Sequence, residues 1–166
     1  MAASDEKPRR LYSKSYLQFI KNSVGSNMFR NFYVETSRRG EFDALDDGEN
    51  SCAFYVSSVL VVFKKISGIH GLVGRVIDDM KGSGWIEVDS PQPGDVLVWE
   101  AQEFPDGRHE HIGFCISEGR AISTSRTAKT PIEHDINFGD ANRKITQIFR
   151  MDNWEESAST ESGGLR

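Results

Sequence analysis

The sequence has few cysteines, no long apolar run and no leader-like segment. Its 166 residues include only Cys52 and Cys115, so a framework of several disulfides is excluded. No stretch approaches the ~20 apolar residues that a membrane-spanning helix needs, and residues 1–10 lack the apolar core of a secretory signal. We therefore expect no membrane span. A cytoplasmic protein, export by another route, or a signal peptide that was removed are all compatible with this sequence.

Neither sign of charge dominates, and no internal repeat is present. Charged residues make up 27% of the chain, hydrophobic residues 37%, and the formal net charge is −5. These values are typical of a globular domain, and a net negative charge gives no indication of a nucleic-acid partner. The length fits one domain with a substantial core. We predict a single domain over residues 11–152, between flexible polar tails at 1–10 and 153–166.

The spacing of apolar residues predicts mostly helices first and strands afterwards. The predicted helices cover residues 11–20, 51–66 and 72–81. The predicted strands cover residues 28–36, 85–88, 96–100, 109–116, 120–126 and 144–151. We interpret residues 37–50 and 101–108 as loops. This order is typical of the α+β class, with N-terminal helices packed on an antiparallel sheet that forms a meander.

The apolar run that begins at Cys52 is the most informative stretch. Its β-branched residues favour a strand, but its length of about 15 residues favours a helix, which Gly68 can close. Either Asn50 or Ser51 can cap the N-terminus of that helix. Cys52 then lies in the first turn, where unpaired backbone N–H groups and the helix dipole favour a thiolate. The alternative is a buried cysteine of the core.

A nucleophilic cysteine needs a base, a group that orients the base, and N–H donors for the oxyanion. His111 is the best candidate for the base, because it lies on a predicted strand just after a loop. His109 shares its strand face, and a His-x-His pair with Cys52 or Cys115 can bind zinc. A zinc-binding module is therefore an alternative. Without a second clear pair of ligands, we expect no metal and no cofactor.

Three segments occur in an order that is typical of one superfamily. Residues 50–56 read Asn-Ser-Cys-Ala-Phe-Tyr-Val, residues 93–99 read Pro-Gly-Asp-Val-Leu-Val-Trp, and residues 111–116 read His-Ile-Gly-Phe-Cys-Ile. They resemble the nucleophile helix, the following strand and the histidine strand of the NlpC/P60 and CHAP superfamily of papain-like cysteine hydrolases. Cysteine followed by a small residue, aromatics and valine is closest to the CHAP form. The resemblance covers about residues 45–151.

The resemblance implies a papain-like α+β fold with the nucleophile at the N-terminus of the central helix. It also implies hydrolysis of an amide bond, most often in the stem peptides of bacterial peptidoglycan. Cys52 would attack the carbonyl carbon, His111 would shuttle the proton, and water would release a thioester acyl-enzyme. Many members have His, Asn or Gln as the third group, where this chain has Ser123. A catalytically inactive binding domain of the same fold is therefore an alternative. The sequence identifies no inhibitor or delivery partner.

The turn at 117–119 decides whether Ser123 faces His111. A three-residue loop with its glycine in the left-handed region places Ser123 on the face of His111. A two-residue loop shifts the register and places Thr124 there instead. Glycine in the third position favours the first arrangement. His134, in a stretch with no regular pattern, is an outside candidate for the third role.

Overall fold

A computed structural model describes residues 9–154 of the chain. The α-helices are α1 (Tyr12–Asn22), α2 (Cys52–Val62) and α3 (Val73–Gly82). The strands are β1 (Tyr33–Thr36), β2 (Gly40–Asp43), β3 (Ile86–Glu87), β4 (Val96–Phe104), β5 (Gly107–Ser117), β6 (Arg120–Thr124), β7 (Pro131–Asp135) and β8 (Ile145–Arg150). Most of the predicted tails at 1–10 and 153–166 lies outside the described residues. Every helix among residues 9–154 is too short or too polar to span a bilayer.

A six-stranded antiparallel sheet forms the centre of the molecule. Its strand order is β3-β8-β4-β5-β6-β7, so β4 to β7 form a meander and β8 returns beside β4. The first two strands form a separate antiparallel hairpin. The predicted α+β class and the antiparallel sheet are confirmed.

The two faces of the sheet carry different apolar clusters, because successive side chains of a strand point to opposite faces. Val98 and Ile112 pack with the buried residues of all three helices, which cover one face. Trp99 and Cys115 belong to a second cluster on the other face, together with Phe138 from the segment after β7. Cys115 is therefore a core residue.

Helix α2 is the most deeply buried helix, but it ends earlier than predicted. Its apolar side chains include Val56 and Leu60, both with no exposed surface. Lys64 takes a left-handed conformation with φ 55° and ends the helix, so the expectation that Gly68 closes it is wrong. The N–H of Lys64 donates to Val61 O and the N–H of Lys65 to Leu60 O, both at 2.9 Å, which is the Schellman pattern.

Two segments interpreted as loops contain strands. Residues 37–50 include β2, and residues 101–108 are almost entirely the ends of β4 and β5, which continue as a two-stranded hairpin. A β-bulge between Trp99 and Gln102 interrupts the pairing of these strands. Beyond the bulge most of the side chains are polar, so the sequence shows no apolar alternation there. Backbone pairing forms these strands although neither face is buried. The pattern of apolar side chains therefore does not predict them.

Asp79 of α3 stabilises the connection between α2 and α3 through several hydrogen bonds. Its carboxylate accepts hydrogen bonds from the backbone N–H groups of Ser67 and Gly68, from Ser67 Oγ, and from His70 Nε2 at 2.7 Å. Burial acts to raise the pKa of Asp79, but these hydrogen bonds outweigh it and hold the pKa well below its usual range. His70, for which the sequence indicated no role, is one of the donors to the Asp79 carboxylate.

We expect Asp79→Asn to lower the free energy of unfolding by about 1–3 kcal/mol at pH 7, since several donors lose a charged acceptor. Urea denaturation measures the effect. The carboxylate stabilises the fold above its unfolded pKa of about 3.9, and that contribution is lost as the pH falls towards the lower folded pKa. The difference from wild type should therefore shrink below about pH 4. Asp78→Asn, at the exposed neighbouring position, is the matched control; an equal loss in both variants would contradict the assignment.

Candidate active site

A cleft of about 660 Å³ collects side chains from several separate elements. Cys52 comes from the start of α2, His111 from β5, Ser123 from β6 and Arg143 from the segment before β8. The first three are the site residues proposed from the sequence, and the structure brings all of them to one cleft. Arg143 was not anticipated.

Cys52 is the first residue of α2, as predicted, but no side chain caps this helix. The hydroxyl of Ser51 donates instead to Gly48 O at 2.8 Å, and the amide oxygen of Asn50 accepts from Arg126 Nη1 at 3.3 Å. The expectation that one of them caps the helix is therefore wrong. The backbone N–H groups of Ile112 on β5 and of Ala53 act to lower the pKa of the Cys52 thiol.

The Cys52 thiol is neutral at rest, contrary to the expectation of a thiolate. Burial raises its pKa, and this effect outweighs the backbone N–H groups of Ile112 and Ala53 and the nearby charge of Arg143, which all lower it. Helix position alone therefore does not determine the state of this thiol. Its loss of hydration is the larger influence.

Ser123 lies on the face of His111, and its Oγ is 2.8 Å from His111 Nε2. The register that produces this contact differs in detail from the two simple hairpins considered. Ser117 pairs with Arg120 across a two-residue turn, but a bulge between Cys115 and Ser117 restores the register that a three-residue loop would give. Gly119, with φ 68°, provides the expected left-handed residue.

His134 of β7 extends this contact into a chain of hydrogen bonds. Ser123 Oγ is 2.7 Å from His134 Nε2, and His134 Nδ1 is 2.8 Å from the backbone carbonyl oxygen of Asp135. Sequence analysis identified His134 only as an outside candidate, because residues 132–141 show no strand pattern. Pairing of Ile122 with Glu133 and of Ala121 with His134 places the imidazole beside Ser123.

The Asp135 carbonyl oxygen determines which atom donates and which accepts in each of these hydrogen bonds. A carbonyl oxygen only accepts, so His134 Nδ1 carries a hydrogen and, in the neutral ring, Nε2 is an acceptor. Ser123 therefore donates its hydroxyl proton to His134 and accepts from His111 Nε2–H. His111 Nδ1 is then the unprotonated nitrogen. Among the described residues it makes no hydrogen bond, so its lone pair is available as a base.

Both imidazoles are neutral near pH 7, as this assignment requires. Burial, the charge of Arg143 and the neighbouring His134 lower the pKa of His111 to about 3. Burial also lowers the pKa of His134, although the Asp135 carbonyl opposes it. Aromatic rings surround the pair: the Phe138 ring stacks on His134 with centroids 4.1 Å apart, and Trp99 lies 5.6 Å from the His111 ring.

Gly113, two residues after His111, leaves the space that Ser123 occupies. A Cβ atom at Gly113 would lie 2.6 Å from both Ile122 O and Ser123 Cβ, and 3.1 Å from the Trp99 ring. The backbone oxygen is fixed by the sheet and has no room to move. The glycine of the His-Ile-Gly segment is thus required by close packing between β5 and β6.

Arg143 is a buried arginine that sequence reasoning missed. Its side chain is held by two backbone oxygens: Nε donates to Glu100 O at 2.9 Å and Nη2 to His109 O at 3.1 Å. Glu100 lies at the bulge of β4, where the ladder with β5 is interrupted. A single arginine in an irregular segment gives no pattern, so the sequence held no signal for it.

The thiol and the base share the cleft without a direct bond. Within residues 9–154, no hydrogen bond joins Cys52 Sγ to His111, whose Nε2 is taken up by Ser123. In the same range, no group of three or more His, Cys, Asp or Glu side chains is placed to hold a metal ion. The zinc-binding alternative therefore lacks a ligand set in this part of the chain.

Comparison with known proteins adds no assignment. The sequence matches no protein-family model and no curated protein. The likeness to papain-like hydrolases thus rests on the three sequence segments.

We expect iodoacetamide to modify Cys52 slowly at pH 6 and faster only as the pH rises beyond the usual thiol pKa of about 8.5, because burial disfavours the thiolate. Peptide mass mapping distinguishes Cys52 from Cys115, whose pKa is raised to about 11 by burial. Cys52→Ser is the control for background labelling. A labelling rate that has already reached its plateau at pH 6 would show a stable thiolate and contradict the assignment.

Proposed function

We propose that the protein is a cysteine hydrolase that cleaves an amide bond through a thioester acyl-enzyme. The observation that supports this most strongly is the chain from His111 through Ser123 and His134 to the Asp135 carbonyl. It leaves an unprotonated ring nitrogen of His111 in the cleft that also contains Cys52. Partly buried imidazoles with shifted pKa values in a cleft are typical of catalytic sites.

Because the Cys52 thiol and the His111 imidazole are both neutral at rest, we expect His111 to act as a general base. His111 Nδ1 takes the thiol proton of Cys52 as Sγ bonds to the carbonyl carbon. The imidazolium then protonates the leaving nitrogen as the C–N bond breaks, which gives an amine and a thioester. Water attacks the thioester, with His111 again accepting a proton, and releases the acid and the free thiol. The backbone N–H of Cys52, at an uncapped helix start, is the donor we assign to the oxyanion.

Ser123 replaces the more polar third group of the resembling family, and His134 supports it. A lone hydroxyl rotates freely and orients a base poorly. Here the Ser123 hydroxyl is fully buried and its proton is committed to His134, so a lone pair points steadily at His111 Nε2. The same lone pair continues to accept when His111 becomes an imidazolium.

The substrate class rests on the sequence resemblance, which makes peptidoglycan stem peptides the first compounds to test. A second candidate function is a catalytically inactive binding domain of the same fold. It is favoured by the raised pKa of Cys52 and by the lack of a direct bond between this thiol and His111 within the described residues. Measured turnover separates the two.

We expect Cys52→Ala to reduce hydrolysis of stem peptides by at least ~10³-fold, because the nucleophile is lost. Product formation is followed by liquid chromatography and mass spectrometry. Cys115→Ala, which changes a core cysteine away from the cleft, is the matched control and should retain activity. Undiminished turnover by Cys52→Ala would rule out this mechanism, and no turnover by wild type on any stem peptide would favour the binding domain.

We expect Ser123→Ala to lower kcat by roughly 10–100-fold with little change in KM, because the substitution frees the His111 ring without altering substrate contacts. Steady-state kinetics measure both constants. Ser125→Ala is the control, since Ser125 Oγ accepts from the N–H of Ala128 and takes no part in the histidine chain. Equal kcat values for Ser123→Ala and wild type would show that Ser123 does not position the base.

A further inference from the structure

Arg143 is a buried cation that forms no direct ion pair among the described residues. Its side chain lines the cleft and only 7% of the residue is exposed. Nε and Nη2 donate to backbone oxygens, and within residues 9–154 no carboxylate lies in ion-pair distance of its guanidinium. Nη1, with two N–H groups, makes no hydrogen bond in the described part of the chain. A buried charge left without an opposite charge is costly, so this arrangement calls for a functional reason.

The other arginines near this region differ from Arg143. Arg126 lies 3.4 Å from carboxylate oxygens of both Glu49 and Asp106. Arg150 binds the buried carboxylate of Asp95 through Nε and Nη2 at 3.0 and 2.7 Å. Each of these arginines forms a direct ion pair, whereas Arg143 forms none among the described residues, although the Glu100 carboxylate acts to raise its pKa.

The backbone around Arg143 holds the guanidinium rigidly. The N–H of Arg143 donates to Asn137 O at 2.8 Å and closes the segment between them. Phe138 and Asn142 in this segment take left-handed conformations, with φ 62° and 43°, which side chains other than glycine adopt at a cost. The nearest carboxylate on β4, that of Glu100, accepts instead from the N–H of Lys144 at 3.0 Å.

We propose that Arg143 binds a carboxylate that the substrate carries next to the amide bond attacked by Cys52. The substrate class is thus an acidic peptide, and this inference rests on the proposed function. A guanidinium that is preorganised in a desolvated cleft is suited to a carboxylate. The oxyanion already has a donor in the backbone N–H at the start of α2, so the charge of Arg143 is available for a second anionic group.

The charge of Arg143 influences both the Cys52 thiol and the His111 imidazole. Burial is the largest influence on both Cys52 and His111, and beyond it the charge of Arg143 lowers the pKa of each. A carboxylate bound to Arg143 would neutralise this charge and make protonation of His111 easier during attack. Binding of the acidic substrate and activation of the base would then be linked.

The test compares two peptides that differ only in one carboxylate, L-alanyl-γ-D-glutamyl-L-lysine and its D-isoglutaminyl carboxamide analogue. With Cys52→Ala, which binds without cleaving, we expect the carboxylate peptide to bind about 10–100-fold more tightly in calorimetry. Adding Arg143→Gln should abolish this preference. Arg143→Lys keeps the charge and should retain part of it, and Arg108→Gln, at an exposed arginine of the cleft, should retain all of it.

Several outcomes would overturn the inference. Equal affinity of Cys52→Ala for both peptides would do so, as would an undiminished preference after Arg143→Gln in a variant whose circular dichroism and melting match wild type. An equal fall in kcat for both peptides with unchanged binding would assign Arg143 to the oxyanion instead. A carboxylate preference in a protein that hydrolyses neither peptide would support Arg143 as a carboxylate site while rejecting the hydrolase.

Discussion

The hydrogen bond from His134 to the Asp135 carbonyl is the constraint on which the site depends. A backbone carbonyl oxygen can only accept a hydrogen bond. This determines the donor and the acceptor in each bond from His134 through Ser123 to His111. Three neighbouring strands each contribute one member of this chain. The sheet therefore does more than hold the residues at the right distance. It sets which nitrogen of the base carries a proton.

Loss of hydration, more than charge pairing, sets the chemistry of the cleft. Burial leaves both the Cys52 thiol and the His111 imidazole neutral. The buried arginine of the cleft, Arg143, donates to two backbone carbonyl oxygens and forms no ion pair among the described residues. Within residues 9–154, neither Cys52 nor His111 forms an ion pair. An anion bound at Arg143, as proposed above, would therefore be a new charge beside both groups.

Local sequence patterns were sufficient for the features that depend on neighbouring residues. The helix start at Cys52, the strand of His111 and the face of Ser123 all follow from spacing and turn chemistry within short segments. Arg143 was missed and His134 was only an outside candidate, because they reach the site through a β-bulge and through strand pairing, which no local pattern encodes. The same holds for the protonation of Cys52. A helix start favours thiolate, but the degree of burial that opposes it arises only when α2 packs against β5.

The bulge in β4 also interrupts the pairing of β4 with β5 and so divides their hairpin into two parts. On one side, Trp99 pairs with His111 and belongs to the sheet. On the other side, residues 102–109 form a polar two-stranded arm that contributes Gln102, Phe104 and Arg108 to one wall of the cleft. Insertions, deletions or charge changes in that arm would leave the register of His111 intact. Cys52 and His111 thus lie on the central helix and the sheet, whereas one wall of the cleft lies on a segment whose sequence can change.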